Sequence, residues 1–260
     1  MIKDKLLELY NRALFLISVP KCIRCDEPLD YGVKALCPKC LEEYREQKTR
    51  NCSRCAKLIP ECTCSTFYME KQRLRQIAKV FRYDASKPEL PGNMLVYSLK
   101  HSNRRDSFDF AAGELSASIL RAAPDIVDQP DKYIITHVPR RPEAIRENGY
   151  DHSRVLAKRI AKLLGIEFKS FLVSRSKRAQ KDTHGDERRR NAVFAYRRSA
   201  AKQSLRDLRV IIVDDVITTG SSVSACSAML KGMGARRFLI ATLSIAYKDS
   251  YIKPQTSYYN

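Results

Sequence analysis

The chain has 260 residues, of which 44% are hydrophobic, so it can bury a sizeable core as one large domain or as a medium domain with a small appendage. Its 48 Lys and Arg against 29 Asp and Glu give a formal net charge of +19, which favours phosphate-rich or acidic partners, although a need for solubility would also account for it. It has no run of 18 apolar residues, so no transmembrane segment is expected.

The first nineteen residues, MIKDKLLELYNRALFLISV, place charges before a short apolar stretch and contain no evident small-residue cleavage site. This pattern predicts a short docking helix rather than a signal peptide, and therefore a cytoplasmic protein. Cysteines in a reducing compartment more often bind metal than form disulfides.

Eight of the nine cysteines follow in four close pairs, CIRC, CPKC, CSRC and CTC. Two such pairs can complete a tetrahedral four-thiolate zinc site, which holds together a segment too short for its own core. One or two structural zinc ions are therefore expected, with these ligands: Cys22, Cys25, Cys37, Cys40, Cys52, Cys55, Cys62 and Cys64. The ninth, Cys226, is predicted to be a small core residue.

The spacing leaves the pairing of these ligands open. Sequential pairing gives the first four cysteines one ion and the last four the other, and an interleaved pairing fits equally well. The CTC pair has a single residue between its members, which favours an irregular or weakly occupied second site. An iron–sulfur cluster needs the same four thiolates and remains the competing assignment. Chelation is expected to unfold this module and leave the rest of the chain folded.

A change of pattern near residues 67–76 predicts the domain boundary, with a zinc-ribbon-like module at 1–66 and a larger domain at 67–260. The module is close to neutral once its thiolates are counted. The basic excess lies elsewhere: the window 169–209 holds 13 Lys and Arg against 4 Asp and Glu.

The larger domain alternates strand and helix patterns, which predicts an α/β fold with a mostly parallel sheet. YIITHV (133–138) reads as a buried strand, and Asp151–Leu164 as a helix that ends at Gly165. The predicted apolar face of this helix carries Val155, Leu156, Ile160, Leu163 and Leu164. The chain then continues with four further segments: IEFKSFLV, the apolar run 210–213, a helix from Ser221, and FLIATLSIA.

At the end of the run 210–213 stand two carboxylates, Asp214 and Asp215, and then a loop that leads into the helix. A loop at a helix N-terminus offers backbone N–H groups to a phosphate, and a glycine lets the backbone approach closely. The expected phosphate cradle consists of Thr218, Thr219, Gly220, Ser221 and Ser222. The acids repel a phosphate, so they should face a metal ion or the hydroxyls of an attached sugar.

Three other interpretations of the acid pair are weaker. A Walker-B strand requires a GxxxxGK[ST] loop, and the chain has no Gly-Lys dipeptide. A phospho-acceptor receiver domain places its acids near its start and has no TTG after the strand. Simple capping of the next helix leaves one aspartate and both threonines without a role.

The segment VIIVDDVITTGSS (210–222) resembles the phosphoribosyl-pyrophosphate motif of the type I phosphoribosyltransferases. The resemblance implies that Asp214 and Asp215 hold the ribose hydroxyls and that the loop 218–222 holds the 5′-phosphate. It further implies that Arg140 and Arg141 belong to the pyrophosphate loop, and that magnesium bridges pyrophosphate and ribose oxygens.

Three further segments resemble the ComF/GntX family of competence-associated proteins: HVPRRPEAIRENGYDHSRVLAKRIA, QKDTHGDERRRNAVFAY and YSLKHSNRRD. A cysteine-knuckle module ahead of a phosphoribosyltransferase domain is also that family's architecture. The chain departs from the pattern at Asp151 and His152, which replace an amide pair, and at Thr183, where leucine is common.

This resemblance implies a role in natural transformation, with single-stranded DNA as partner, a competence helicase as a further partner, and a location at the inner face of the membrane. The expected loop and DNA contacts are Arg188, Arg189, Arg190, Asn191, Lys100, Arg104, Arg105, Lys177, Arg178 and Lys181. Phe108, Phe194 and Tyr196 are candidate stacking surfaces, although core packing is the better expectation for each. Two alternatives stay open: an active phosphoribosyltransferase for an unknown base or amine, and a sensor that binds phosphoribosyl pyrophosphate without turnover.

Overall fold

The computed structural model describes residues 19–175, 194–200 and 203–246. The predicted N-terminal docking helix lies outside them. The α-helices within these ranges are α1 (Pro38–Lys48), α2 (Phe67–Lys71), α3 (Pro91–His101), α4 (Arg105–Ala122), α5 (Pro142–Asn148), α6 (His152–Leu164) and α7 (Ser221–Gly232). The strands are β1 (Gln76–Arg82), β2 (Tyr133–His137), β3 (Glu167–Phe168), β4 (Leu172–Ser174), β5 (Phe194–Tyr196), β6 (Arg209–Ile217) and β7 (Arg237–Ile245).

Five strands form one sheet in the order β1-β7-β6-β2-β3, and every neighbouring pair is parallel. Strands β2, β6 and β7 begin in register, with Arg209 beside both Tyr133 and Arg237. The predicted α/β class with a parallel sheet flanked by helices is confirmed. Because all strands run the same way, their carboxyl ends share one edge of the sheet, where ligands bind in open α/β folds.

The side chains of β6 alternate between two cores, as a central strand requires. Ile211 and Val213 point into a core formed with α4 and α6. Val210 and Ile212 point into a second core on the opposite face, formed with α7 and including Cys226, which is 1% exposed. The prediction that Cys226 is a core residue is confirmed.

Helix α6 begins and ends as the sequence predicts. Asp151 caps it, because its carboxylate accepts the backbone N–H of Arg154 at 3.1 Å, and Gly165 ends it with φ +67°. The predicted apolar face is wrong at one position: Leu163 is 59% exposed, while Ala157 and Ala161 are buried instead.

The structure adds strand boundaries that the sequence analysis did not give. IEFKSFLV forms two strands rather than one: β3 joins the main sheet, and β4 pairs antiparallel with β5 in a separate two-stranded sheet. Strand β6 does not end before the acids but continues to Ile217, so Asp214 and Asp215 lie within its second half.

The cysteine-rich segment passes over β1, the edge strand of the sheet. Its first half packs on the α4/α6 core, where Tyr44 of α1 meets Phe81 of β1 at 5.9 Å between ring centroids. The segment then reaches the opposite core at Met69 of α2. It thereby covers an edge that would otherwise expose unpaired backbone groups. The boundary at residue 66 stays a prediction.

Within residues 19–175, 194–200 and 203–246, no helix is long and apolar enough to cross a bilayer.

Candidate functional site

The loop between β6 and α7 forms a small cavity at the carboxyl edge of the sheet. The cavity has a volume of about 50 Å³ and is lined by Asp214, by the end of β6, by the loop 218–220 and by the first residues of α7 as far as Val223. Gly220 is the N-cap of α7 and has φ +77°, a conformation that favours glycine. The backbone N–H groups of the first turn of α7, together with the hydroxyls of Thr219 and Ser221, therefore border a space that suits an anion.

Asp214 and Asp215 point to opposite sides of β6, as neighbours in a strand do. The Asp214 carboxylate borders the cavity and accepts hydrogen bonds from the Ser153 hydroxyl at 3.3 Å and the Asp215 backbone N–H at 3.0 Å. Asp215 is 5% exposed and is turned toward basic side chains. The two acids therefore have different surroundings despite their adjacent positions.

Three basic groups from three elements surround the Asp215 carboxylate. Lys100 Nζ of α3 lies 3.0 Å from it, His152 Nε2 of α6 lies 3.1 Å away, and an Arg140 nitrogen lies 4.0 Å away. Arg140 Nε also donates to His152 Nε2 at 2.9 Å. Since one ring nitrogen cannot accept from Arg140 and donate to Asp215 at once, the protonation of His152 decides which of the two contacts is a hydrogen bond.

These surroundings move the pKa values of the two acids in opposite directions. Burial and the adjacent charge of Asp215 raise the pKa of Asp214 well above its ordinary value. Burial also opposes ionisation of Asp215, but His152, Lys100 and Arg140 outweigh it and hold the pKa of Asp215 well below its usual range. The pair is therefore arranged so that Asp215 keeps its charge while Asp214 holds a proton more readily.

Asp151 links the loop after β2 to helix α6. Besides capping α6, its carboxylate accepts the backbone N–H of Arg140 at 3.2 Å and lies 3.4 Å from Nε2 of the buried His137. Burial opposes its ionisation, but His137 and the two N–H groups outweigh it, so the pKa of Asp151 is lowered. Asp151 thus orients Arg140. The sequence analysis began the predicted helix at Asp151 and noted the residue as a departure from the family pattern, but it did not find the contacts of its carboxylate with Arg140 and His137.

The remaining predicted anion contacts are distributed over several surfaces. Arg141 precedes α5 and is exposed. Arg104 bonds with Asp106 at 2.6 Å, and Lys100 is the partner of Asp215, so both have carboxylate partners within the chain. Arg105 is exposed. These predicted residues lie outside the described part of the chain: Arg188, Arg189, Arg190, Asn191, Lys177, Arg178 and Lys181.

The candidate stacking residues have different environments. Phe108 is fully buried in the α4/α6 core, and Phe194 is half-buried beside the α7 core. Tyr196 is 44% exposed, and its hydroxyl donates to the Met229 carbonyl at 2.7 Å. Among these three, only Tyr196 presents a large accessible ring surface.

The structure groups the eight clustered cysteines sequentially. Cys22, Cys25, Cys37 and Cys40 form one group, and Cys52, Cys55, Cys62 and Cys64 form the other, with all Sγ atoms of each group within 4.8 Å of one another. Sγ of Cys25 lies 3.7 Å from those of Cys37 and Cys40. Four thiolates around zinc at about 2.3 Å stand about 3.8 Å apart, so the donor set fits this ion.

The two groups begin with the same backbone turn. Cys22 N–H donates to the Glu27 carbonyl at 2.8 Å, and Cys52 N–H donates to the Lys57 carbonyl at 2.7 Å. The residue after the second cysteine has a positive φ in both turns, 58° at Asp26 and 58° at Ala56. The segment therefore contains a repeated knuckle.

A buried lysine joins the second cysteine group to the sheet. Lys79 of β1 is 1% exposed, and its ammonium donates to Cys62 Sγ and to the Cys64 carbonyl, both at 3.1 Å. A tetrathiolate zinc site carries a formal charge of −2, so a cation at this place partly neutralises it. The sequence analysis missed Lys79, since a lysine within a strand gives no sign of what it faces.

The segment after Cys64 packs directly on the loop between β6 and α7. A Cβ placed on Gly220 would come within 2.1 Å of Thr66 Oγ1 and 2.9 Å of Met69 Cγ. Thr66 Oγ1 is buried without a hydrogen-bond partner among the described residues. Gly220 is therefore required both by its own conformation and by this close approach.

The comparisons with known proteins agree with this architecture. The family model of the phosphoribosyl transferase domain matches residues 151–260. The DNA utilization protein YhgH of Salmonella typhimurium is 26% identical over 226 residues, which cover 85% of this chain and 95% of that protein. Competence protein F of Haemophilus influenzae is 29% identical over 123 residues, which cover 43% of this chain and 54% of that protein.

Among solved structures, a purine phosphoribosyltransferase from Pyrococcus horikoshii matches 54% of this chain and 80% of its own, with 22% identity and a TM-score of 0.35. At this TM-score the superposition adds nothing to the strand order seen directly. The family match includes Asp214, Asp215 and the loop, and the cysteine groups fit a zinc module ahead of the sheet. The chain therefore contains a phosphoribosyl transferase domain within residues 151–260, behind cysteine groups that fit a small metal module, and over most of its length it is similar to the DNA utilization protein YhgH.

Proposed function

We propose that the protein binds phosphoribosyl pyrophosphate, or a nucleotide that shares its ribose phosphate part, and that it uses this site while handling single-stranded DNA. The observation that carries the first part is the combination of the anion cavity at Thr218–Ser222 with the Asp214 carboxylate on its border. The names of the relatives, DNA utilization protein and competence protein, support the second part.

Each residue of the site has a role in this proposal. The loop would hold the 5′-phosphate through backbone N–H groups and hydroxyls, and Asp214 would accept hydrogen bonds from ribose hydroxyls. Asp215 faces Lys100, His152 and Arg140 rather than the cavity, so in the free protein it positions these basic groups. They could turn to the pyrophosphate once it enters.

The proposal includes magnesium, which would bind together with the diphosphate. Mg²⁺ keeps several of its waters and is usually held by substrate phosphates plus one or two carboxylates. The half-buried carboxylate of Asp214 fits this donor chemistry.

Zinc is proposed for the two cysteine groups, and metal analysis of the purified protein should find two zinc ions per chain. Finding iron instead would overturn that assignment.

Calorimetry with phosphoribosyl pyrophosphate and millimolar magnesium tests the site. The unchanged protein should bind, and Asp214→Asn should reduce the affinity at least about tenfold, as expected for a lost hydrogen bond to a charged group. Asp30→Asn, which removes an exposed carboxylate of the cysteine module, is the matched control and should bind normally. No binding to the unchanged protein would end the proposal.

Release of pyrophosphate separates a transferase from a binding protein. Steady release in the presence of a panel of bases and amines would show that the site catalyses transfer. Binding without release would favour a sensor or a positioning site. The helicase partner and a location at the membrane remain predictions.

A further inference from the structure

A second basic surface lies at the opposite edge of the sheet, where β2, β6 and β7 begin. It is a groove with a volume of about 480 Å³, lined by six charged side chains: Lys132, Arg206, Asp207, Arg209, Arg236 and Arg237. Five of these are cations and one is a carboxylate. Asp214 lies five residues beyond Arg209 on the same strand, so the two sites are about 16 Å apart along β6.

The parallel sheet brings these cations together. Tyr133, Arg209 and Arg237 are neighbours across three adjacent strands, which lie about 4.8 Å apart. Lys132 comes directly before the first of these residues, and Arg236 directly before the last. Three neighbouring strands therefore start with positive charge on the same edge.

Backbone contacts fix the wall of the groove that carries Arg206. Leu205 N–H donates to the Met233 carbonyl at 2.9 Å. Gly234 has φ +94°, and a Cβ on it would lie 3.4 Å from the Arg206 nitrogen, so the two loops are in close contact. The position of Arg206 thus depends on main-chain packing rather than on its own side chain.

Most of the cations in the groove have no acidic partner. Arg209 donates to Asp125 at 2.5 Å and to the Tyr133 hydroxyl at 2.6 Å. Among the described residues, the side chains of Lys132, Arg206, Arg236 and Arg237 form no ion pair or hydrogen bond. Like charges held this closely repel one another, and a polyanion in the groove would relieve that repulsion.

We infer that this groove binds the phosphate backbone of a single nucleic-acid strand. The inference rests on the DNA part of the proposed function and places that partner at Lys132, Arg206, Arg236 and Arg237. The volume lies in the range of ligand pockets, and the groove is open, so it suits a few linked nucleotides of a longer chain. None of the residues that line the groove is aromatic, and Tyr133, the neighbour of Arg209 on β2, is 2% exposed and cannot stack on a base. Recognition therefore uses charge and is independent of base sequence.

The test is binding of a fluorescent 20-nucleotide oligothymidylate to the full chain, followed by anisotropy from 0.05 to 0.4 M salt. The double variant Arg206→Gln with Arg237→Gln removes two exposed cations of the groove. Each lost contact should lower the salt slope by about 0.7, so affinity at 0.1 M salt should fall about 20-fold. The control is Lys34→Gln with Lys57→Gln, two exposed cations of the cysteine module, which should bind like the unchanged protein.

Other outcomes overturn the inference. If the groove variant keeps the affinity and slope of the unchanged protein, the strand binds elsewhere. Equal losses in both double variants would mean that net charge alone controls binding. Competition by thymidine monophosphate at the same phosphate concentration would identify a single-nucleotide pocket.

Calorimetry with phosphoribosyl pyrophosphate on the same samples distinguishes this inference from the proposed function. The groove variant should retain that binding, because the changed residues lie at the far edge of the sheet. If the unchanged protein binds phosphoribosyl pyrophosphate but not the oligonucleotide, the groove inference and the DNA role fail while the ribose phosphate site stands.

Discussion

Asp214 and Asp215 are adjacent in the sequence, yet the structure gives them opposite effects on stability. The raised pKa of Asp214 means that its charged form is disfavoured in the free protein. The lowered pKa of Asp215 means that its charge is stabilised by Lys100, His152 and Arg140. A carboxylate that lowers stability in the free protein and borders a cavity is typical of a residue kept for binding.

Asp214→Asn should raise the free energy of unfolding by about 1 kcal/mol at pH 7, because it removes the disfavoured charge. Asp215→Asn should lower it by about 3 kcal/mol, because it leaves the buried His152 and the partly buried Lys100 and Arg140 without their acid. Urea denaturation of the two variants and the unchanged protein measures both values. Destabilisation of similar size in both variants would contradict the assigned surroundings.

The pH dependence of the Asp214 effect has a definite sign. A group with a raised native pKa contributes most stability below the pKa of the unfolded side chain, about 4, and this contribution is lost as pH rises through the native value. The stability gained by Asp214→Asn should therefore be small near pH 4 and grow as the pH rises. Denaturation curves between pH 4 and 8 check this, and a gain that shrinks with pH would refute it.

Gly220 is a second position where one residue decides the local geometry. Gly220→Ala should lower the free energy of unfolding by more than about 1 kcal/mol and weaken phosphate binding. Alanine disfavours the positive φ of this position, and its Cβ would collide with the Thr66 side chain. Gly113→Ala is the matched control. Gly113 lies within α4 with nothing near its Cβ position, so this change should stabilise by about 0.5–1 kcal/mol. Thermal melts of both variants make the comparison.

At the scale of elements, β1 connects the sheet to the second cysteine group through Lys79. Lys79→Met should weaken metal binding by that group about 10- to 100-fold, the usual effect of removing a group that supports metal ligands. The first group, which packs on the α4/α6 core, is the internal control. Zinc transfer to a chromophoric chelator should show one fast and one unchanged phase, and two unchanged phases would exclude the assigned role.

Elements with strong local signals were predictable from the sequence. Helix α6 has an Asp cap, an apolar period and a terminal glycine, and the cysteine groups follow from close spacing. The division of IEFKSFLV between β3 and β4 was not predictable, since an apolar run of this length is compatible with two short strands as well as with one long strand. The basic groups around Asp215 were also missed as a set, because Lys100, Arg140 and His152 come from separate elements that only the folded sheet brings together.

For the whole molecule, the first cysteine group is part of the main hydrophobic core. Cys22, Cys37 and Cys40 are buried with Tyr44 in the same cluster as the strands and α4. The second group has a separate small cluster of Cys52, Ile59 and Cys62. The structure thus changes the expectation that the larger domain is indifferent to metal removal.

Cys37→Ser should lower the melting temperature of the whole chain by about 10 °C or more, since loss of a structural metal removes several kcal/mol and each corresponds to about 2–4 °C. Cys55→Ser, in the second group, should cause a clearly smaller decrease. The melting temperatures of both variants and of the unchanged protein can be measured by differential scanning calorimetry and by circular dichroism. Equal decreases would mean that the two groups support the core alike.

The contact between Thr66 and Gly220 has a consequence for how the protein responds to its surroundings. Thr66 lies two residues after Cys64, and its hydroxyl occupies the space beside the N-cap of α7. Any displacement of the second cysteine group that moves Thr66 must also disturb the loop that borders the anion cavity. Coupling of this kind is reciprocal, so metal in the knuckle and phosphate in the cradle should strengthen each other's binding by the same factor. On the proposed assignments, a shortage of zinc would then act on the protein as a shortage of its phosphate ligand.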